Sequence, residues 1–319
     1  MDEAQSFVRV MIDDLLFWIT GEAGVKIKFW GVRGSIASPG PDTVRYGGNT
    51  TCIEVRSDDN DLVILDGGTG IFPLAQSLMN ELPITANIFV THSHWDHIQG
   101  LPFFLPVFVA GNRINLYAPF DPVTQQGVDH IMAVQMQHSY FPVSAEEVKS
   151  RFEYLSMTQG ETVRVGSIEV TPVLMNHPVI AFGYRVACNG KSLFFTGDHE
   201  PYTNIYSPAD KEYAEYQRVV EEKNLAIIRA IEGVDVLIAD SSYALNEYSA
   251  KIGWGHGTFD SNIILAKRVG AKILCCTHHE PSRSDDELER VFNETMARHH
   301  GRLNGLEVRL AWEGAELMF

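Results

Sequence analysis

Short apolar segments that end in histidine or aspartate constrain the fold of this chain more than any other feature. The segments ANIFV, TPVLM, SLFFTG and KILCCT have the composition of buried strands. Each is followed within two residues by a polar side chain: His92, His177, Asp198 and His278. Gaps of 80 residues separate His97 from His177 and Asp198 from His278. Only a fold that gathers strand ends at one edge can bring these side chains together.

The segment THSHWDH holds the densest group of such side chains, with three histidines and an aspartate within six positions. Its four polar residues are His92, His94, Asp96 and His97. With the later members they supply what two divalent metals need: neutral imidazoles, a terminal carboxylate and a carboxylate able to bridge. Four isolated histidines are interpreted instead as surface or core residues: His130, His138, His299 and His300.

Alternating apolar runs and amphipathic stretches predict a layered α/β sandwich. Eleven segments from Val25 onward have the character of strands, and helices are expected near residues 71–82, 123–138, 210–232, 258–269 and 284–299. Two groups of strands, each accompanied by helices, favour one domain over residues 25–319. Residues 1–24 form a separate amphipathic helical extension in this interpretation, and its apolar face makes a homodimer plausible.

The charge balance of the chain limits its partners. The 319 residues carry a formal net charge of −16, which argues against a broad nucleic-acid footprint because phosphate-backbone binding needs clustered lysine and arginine. A small phosphate substrate held by a metal is still compatible with this charge. The four cysteines form no CxxC pair, and neither a signal peptide nor a transmembrane segment is recognisable. We therefore expect a cytoplasmic protein that does not contact membranes.

The ordered set of HxHxDH, His177, Asp198 and His278 resembles the metallo-β-lactamase fold superfamily, from about Val25 to the end of the chain. The resemblance implies a four-layer αββα sandwich, with the N-terminal helix as an addition. It also implies two metal sites. One is held by His92, His94 and His177, the other by Asp96, His97 and His278, and Asp198 bridges them. The metals are expected to be Zn²⁺, with Mn²⁺ or Fe as alternatives, because all three accept imidazole and carboxylate.

Differences between this sequence and other branches of that superfamily indicate which branch it resembles most. Di-zinc β-lactamases usually lack an aspartate at the bridging position, which Asp198 occupies here. Glyoxalase-II-like members follow the third-motif histidine with Thr-Pro-Gly, whereas His177 is followed by Pro178 and Val179. Flavodiiron relatives have glutamate where this chain has His94. These differences favour the phosphodiesterase branch. His278 is preferred over His279 as a ligand because it follows the strand and threonine directly, as in the family.

The segments LIADSSY and GWGHGTF supply Asp240 and His256, which resemble the acid-plus-histidine pair of ribonuclease Z and class III cyclic-nucleotide phosphodiesterases. The resemblance implies that His256 faces the scissile phosphate and that Asp240 orients it; the alternative is a structural histidine in a turn. The stretch FWGVRGSIASPGPDTVRYGGNTTCIEV is similar to the start of the same proteins. Its glycines either let backbone approach the metals or form plain turns, and Arg33 and Asn49 are candidate substrate contacts.

Residues 101–160 are apolar and aromatic and carry no basic arm, which favours a small phosphodiester over tRNA. The expected substrate is a 3′,5′-cyclic nucleotide, hydrolysed by a metal-activated water that Asp96 and Asp198 tune, with His256 and Asp240 assisting departure of the leaving group. Three alternatives stay open: a ribonuclease Z-like endonuclease, a lactonase or β-lactamase-like hydrolase, and a non-catalytic nucleotide sensor. Four aromatic residues are expected either to wall the pocket or to belong to the core: Phe103, Phe104, Tyr140 and Phe141.

Overall fold

Two seven-stranded sheets pack against each other in the computed structural model, which describes residues 24–122, 125, 127–144 and 147–319. The first sheet contains β1 Val25–Gly31, β2 Cys52–Ser57, β3 Leu62–Leu65, β4 Thr85–Phe89, β5 Arg113–Pro119, β6 Arg151–Met157 and β14 Glu316–Met318. The second contains β7 Val163–Val165, β8 Ile168–Leu174, β9 Phe182–Cys188, β10 Lys191–Phe195, β11 Val236–Asp240, β12 Ile273–Thr277 and β13 Glu307–Leu310. Their strand orders are β14-β1-β2-β3-β4-β5-β6 and β13-β12-β11-β10-β9-β8-β7.

Helices cover the outer face of each sheet. They are α1 Ile71–Leu78, α2 Trp95–Ile98, α3 Val128–Gln135, α4 Tyr213–Ile231, α5 Phe259–Val269 and α6 Asp285–Arg298. Side chains of α1 and α3 share a buried cluster with the first sheet, and those of α4, α5 and α6 share one with the second. A third cluster, which includes Phe29 and Tyr184, lies between the sheets. The predicted four-layer αββα sandwich is therefore confirmed.

The predicted N-terminal helix lies outside the described residues. Among the residues that the structure describes, no helix combines the length and apolar character needed to cross a bilayer.

The burial of each strand follows from its place in the sandwich. All five residues of β11 are buried, because helices cover one face of its sheet and the other sheet covers the opposite face. Strands β3 to β6 run parallel, as do β10 to β13, and β8 runs in the same direction as β10 because both are antiparallel to β9. The carboxyl ends of these strands consequently share an edge within each sheet.

Three strands, β6, β7 and β14, were not expected from the sequence. All three lie at sheet edges, where one neighbour is absent and side chains are more exposed. Apolar alternation is accordingly weak in β6, whose sequence RFEYLSM is mostly half-buried or exposed. The helix expected at 123–138 is shorter in the structure, beginning at Val128 and ending at Gln135.

Arg33 is a structural residue, so the prediction that it contacts substrate is wrong. Its guanidinium is fully buried, forms an ion pair with Asp285 at 3.1 Å, and donates to the carbonyl oxygens of Gly47 and Arg283 at 2.8 Å each. These bonds join the segment after β1 to the start of α6. Asn49 also has a structural partner, since its Nδ2 donates to Glu313 at 2.9 Å.

We expect Arg33→Met to lower the free energy of unfolding by about 3–5 kcal/mol, because it removes the hydrogen-bonded ion pair of the buried Asp285 carboxylate. Urea unfolding followed by circular dichroism measures this change. Arg290→Met is the matched control, because the Arg290 side chain is half exposed and its ion pairs with Glu287 and Glu294 lie on the surface of α6. Equal destabilisation by the two substitutions would contradict the structural role of Arg33.

Candidate metal centre

The carboxyl ends of strands from both sheets meet at one edge of the sandwich and carry a cluster of polar side chains. Beyond β4 lies His92, beyond β8 lies His177, beyond β10 lies Asp198, and beyond β12 lies His278. The structure brings all seven residues predicted as metal ligands to this edge. Residues far apart in sequence come together here because parallel strands of a sandwich end on the same side.

The Asp198 carboxylate lies at the centre of the cluster and is buried. Its Oδ1 atom is 3.1 Å from Nε2 of His97 and 3.1 Å from Nε2 of His278. Its Oδ2 atom faces the other side, 3.5 Å from Nε2 of His92 and 3.8 Å from Nε2 of His177. One carboxylate therefore serves two separate sets of imidazoles, which is the arrangement that a bridging ligand requires.

Three groups of potential ligand atoms share Asp198. The first is His92, His94, His177 and Asp198, the second is Asp96, His97, Asp198 and His278, and the third is Asp198, Asp240, His256 and His278. Within each group the atoms lie within 4.8 Å of one another. The first two groups match the two metal sites that the family resemblance implies.

Buried atoms without hydrogen bonds indicate that this donor set fits metal cations. Nε2 of His92, Nε2 of His97 and Oδ1 of Asp198 are buried and have no hydrogen-bond partner among the described residues, since the short approach of His97 to Asp198 lacks hydrogen-bond geometry. Buried polar atoms in folded proteins nearly always have a partner. Imidazole nitrogens and carboxylate oxygens are donors that divalent metals accept. The cluster is therefore suited to divalent metal ions.

The HxHxDH motif supplies ligands to both groups because the chain changes conformation within it. His94 is extended, with φ −64° and ψ 148°, and α2 begins directly after it. This single helical turn directs Asp96 and His97 toward the second group, while His92 and His94 belong to the first. The backbone N–H of Ser35 donates to Oδ2 of Asp96 at 2.7 Å and orients that carboxylate.

Asp66, which sequence reasoning missed, orients His97. This aspartate follows β3 directly, is fully buried, and accepts from Nδ1 of His97 at 2.7 Å through Oδ2. Its Oδ1 accepts from the backbone N–H of Thr91 at 2.7 Å. With its proton on Nδ1, His97 presents the Nε2 lone pair to the cluster. The signal was an aspartate at the end of an apolar strand, the same signal that identified Asp198.

We expect Asp66→Asn to weaken metal affinity about 10–100-fold, the usual effect of losing a carboxylate behind a ligand histidine. An asparagine offers one acceptor oxygen, so either the Thr91 N–H or the His97 Nδ1–H would face an amide NH₂. Competition with a chelating dye measures the affinity. Asp61→Asn is the control, since Asp61 precedes β3 at its opposite end and bonds Ser167 instead. Unchanged affinity in Asp66→Asn would exclude the proposed role of Asp66.

Two glycines let backbone approach ligand histidines. A Cβ at Gly34 would lie 2.3 Å from Nδ1 of His278, and one at Gly255 would lie 2.3 Å from Nδ1 of His177. Gly255 also has φ +88°, and its carbonyl accepts from Nδ1 of His177 at 3.0 Å. Of the glycines that the sequence singled out, Gly34 borders the cluster. The others face backbone or Glu313 and are structural: Gly31, Gly47 and Gly48.

The geometry favours His278 over His279. Nε2 of His278 lies 3.1 Å from Oδ2 of Asp96 as well as from Asp198, and its backbone has φ +58°. Nε2 of His279 instead donates to the carbonyl of Ala311 at 2.9 Å, and burial lowers its pKa to about 3. Adjacent histidines thus point to different parts of the molecule.

We expect His278→Ala to retain about one metal ion per chain and His279→Ala to retain about two, because only the first substitution removes an atom of the ligand groups. Metal analysis of the folded fraction after gel filtration measures the content. The two substitutions remove the same side chain from consecutive buried positions, so each controls for the other. Loss of an ion in His279→Ala alone would reverse the assignment.

His256 and Asp240 form a pair beside the cluster. Nδ1 of His256 lies 2.9 Å from Oδ2 of Asp240, and the His256 ring stacks on His278 with centroids 5.0 Å apart. Burial alone would lower the pKa of His256, but the Asp240 and Asp198 carboxylates outweigh burial and raise this pKa to about 9. The pair therefore presents an imidazolium whose Nδ1 is already engaged and whose Nε2 is the nitrogen left for a substrate.

Glu200, also missed from the sequence, holds the loop that carries His256. This buried carboxylate accepts from the backbone N–H groups of Gly253 and Gly255 at 2.9 Å each and from the Tyr248 hydroxyl at 2.7 Å. These bonds fix the loop at Gly255, whose carbonyl orients His177 and whose next residue is His256. No sequence motif marks Glu200, because its partners are backbone groups.

Of the two alternatives for the four aromatic residues, Phe104 takes the core position, since it is fully buried in the cluster beneath α1 and α3. Tyr140 is exposed, and Phe103 packs edge-on against Phe141 with centroids 5.2 Å apart. An apolar run such as LPFFLPVFV does not indicate which of its members faces a cavity.

Stacked sheets with outer helices and a His/Asp cluster at one edge define a metal-dependent hydrolase of the metallo-β-lactamase fold. A family model described as the β-lactamase superfamily domain matches residues 62–279, and the chain belongs to that superfamily. Ribonuclease Z of Agathobacter rectalis is 25% identical over 262 residues, covering 72% of this chain and 82% of that protein.

Two solved structures share the fold. The short form of human tRNase Z superposes with a TM-score of 0.58 and 19% identity, covering 92% of this chain and 98% of the other. A diphosphatase from the PhnP family superposes with a TM-score of 0.59 and 19% identity, covering 93% and 97%.

Proposed function

We propose that this protein is a dinuclear phosphodiesterase that hydrolyses a small phosphodiester, and that a 3′,5′-cyclic nucleotide is the preferred substrate. The observation that carries the proposal is the contact between His256 and Asp240 beside the two ligand groups. A carbon ester or amide has no anionic phosphoryl group to match that imidazolium. The ribonuclease Z and the PhnP-family diphosphatase to which the chain is similar are both named for reactions at phosphorus.

The position of each residue determines its proposed role in metal binding or in contact with the substrate. When bound, two divalent metals acidify a water molecule and neutralise phosphoryl oxygens. Asp198 and the imidazoles around it would hold both ions, and Asp96 would complete the second group. His256 stabilises charge that develops on the phosphate or protonates the leaving oxygen through Nε2. Asp240 is a positioning residue, because it acts through the Nδ1 atom of His256.

Charge supports a small substrate. The formal net charge of −16 opposes a long polyanion, whose binding depends on many cationic contacts. Two buried arginines, Arg33 and Arg283, are already paired with Asp285 and Glu247. Neither presents a free cation to a nucleic acid. Zn²⁺ is the metal we propose, with Mn²⁺ and Fe as the alternatives that the same ligands accept.

A ribonuclease Z-like activity is the second candidate. The observation that favours it is the 25% identity to a ribonuclease Z over 82% of that protein's length. One panel separates the candidates: metal-loaded protein is incubated with cyclic AMP, bis(p-nitrophenyl) phosphate, a tRNA precursor, a lactone and a cephalosporin, with metal analysis on the same sample. Fastest turnover of the cyclic nucleotide supports the proposal, and fastest turnover of the tRNA precursor or of a carbon substrate overturns it.

We expect His256→Ala to lower kcat on the preferred phosphodiester by about 10²–10⁴-fold while the metal content stays at the wild-type level. His256 is absent from the two groups that contain the seven predicted ligands, although it forms a third group with Asp198, Asp240 and His278. Its removal leaves every predicted ligand in place and should therefore affect chemistry and not metal binding. Steady-state kinetics and metal analysis are measured on the same preparation. His300→Ala is the control, since His300 is an exposed histidine that follows α6 and lies outside the cluster. Normal turnover by His256→Ala would remove the proposed role.

A further inference from the structure

A pocket of about 270 Å³ opens next to the metal cluster on the side of the first sheet. His92 lines its inner end, and Trp95, which is 63% exposed, lies on its wall. Aliphatic side chains of α3 and of the segment after His177 line it as well, including Ile131, Val134 and Val179. We call this cavity the Gln135 pocket, after the residue of α3 that supplies its buried amide.

Gln135 is the last residue of α3 and is 6% exposed. Both polar atoms of its side chain, Nε2 and Oε1, are buried and have no hydrogen-bond partner among the described residues. An unsatisfied buried amide destabilises a fold, and such a group in a native protein calls for an explanation such as a ligand. Gln135 is one of the residues that line the cavity. Because its amide atoms are buried, contact with a ligand requires the side chain to turn toward the cavity.

We propose that the Gln135 pocket binds the nucleobase of the substrate and that the Gln135 amide pairs with the hydrogen-bonding edge of that base. This assignment rests on the proposed phosphodiesterase function. A glutamine amide places one donor beside one acceptor, and nucleobases present a donor and an acceptor side by side on their edges. The aliphatic walls and the exposed Trp95 ring suit the flat faces of such a base.

The size and position of the pocket fit one base and not a longer nucleic acid. Drug-sized ligands occupy pockets of about 300–1,000 Å³, so 270 Å³ admits a single ring system. His92 belongs both to the pocket wall and to the first ligand group. A nucleotide whose phosphate lies at the cluster can therefore place its base against Gln135 without a connecting channel.

Equilibrium binding tests the assignment. Dissociation constants of the four common nucleoside 5′-monophosphates and of ribose 5-phosphate are measured by calorimetry for the metal-loaded wild type and for Gln135→Met. The ratio of the ribose 5-phosphate constant to that of the tightest nucleotide reports the contribution of the base. We expect Gln135→Met to lower this ratio about 10-fold or more, the effect of losing a bidentate amide contact. An equal ratio in both proteins overturns the proposal.

Matched variants keep the test decisive. Gln137→Met changes an exposed glutamine two residues along the chain and should leave the ratio at the wild-type value. Gln135→Met removes an unpartnered amide without loss of volume, so its Tm should not fall. If Gln135→Met does not fold, Trp95→Ala with verified metal content replaces it. Loss of a stacking surface should lower the same ratio, and an unchanged ratio overturns the assignment.

Turnover measured in parallel separates this inference from the proposed function. If wild-type protein binds nucleotides with a ratio that depends on Gln135 but hydrolyses no phosphodiester, the base pocket stands and the phosphodiesterase proposal fails. If wild-type protein hydrolyses cyclic nucleotides and Gln135→Met leaves both the ratio and the base preference unchanged, the phosphodiesterase proposal stands and the base pocket fails.

Discussion

A buried carboxylate surrounded by imidazoles is the constraint on which the rest of the structure depends. Both oxygens of Asp198 lie within 4 Å of histidine nitrogens. Three of these buried atoms, Oδ1 of Asp198 and Nε2 of His92 and His97, have no hydrogen bond among the described residues. Such a cluster is stable only with cations or with rigid surroundings that prevent its collapse. The sandwich supplies the rigidity, because each ligand follows a strand whose hydrogen-bonded neighbours fix its direction. The surrounding carboxylates and glycine contacts then set the orientation of individual rings.

Residue type and strand position predict that a polar cluster forms at one edge of a layered sandwich, because histidines and aspartates come just after apolar strands. The division of the cluster into two groups around Asp198 was implied by the resemblance to the metallo-β-lactamase superfamily. The four-layer order was implied by the same resemblance, whereas alternating helices and strands alone indicated a layered α/β fold. His278 could be chosen over its neighbour because it follows the end of β12 directly, although the sequence does not show that His279 bonds Ala311 instead.

The parts that could not be predicted depend on what a side chain faces. Arg33 lies in a glycine-rich segment that resembles a binding loop. Its guanidinium nevertheless bonds the carbonyl of Gly47 and, near the start of α6, the carbonyl of Arg283 and the carboxylate of Asp285. Phe104 is indistinguishable in sequence from Phe103, although the first is buried and the second half exposed. Glu200 acts on backbone N–H groups, which every residue has, and Gln135 is conspicuous only because its partners are lacking among the described residues. Burial direction and missing partners are properties of packing, and packing requires coordinates.

Local charge reconciles an acidic protein with an anionic substrate. Two divalent ions would bring four positive charges to the cluster, while Asp66, Asp96 and Asp198 supply three negative ones that contact it directly. The ions would outnumber in charge the carboxylates that contact the cluster, and His256 lies beside it paired with Asp240. Positive charge is thereby placed locally beside the phosphate of a diester, although the chain as a whole is acidic.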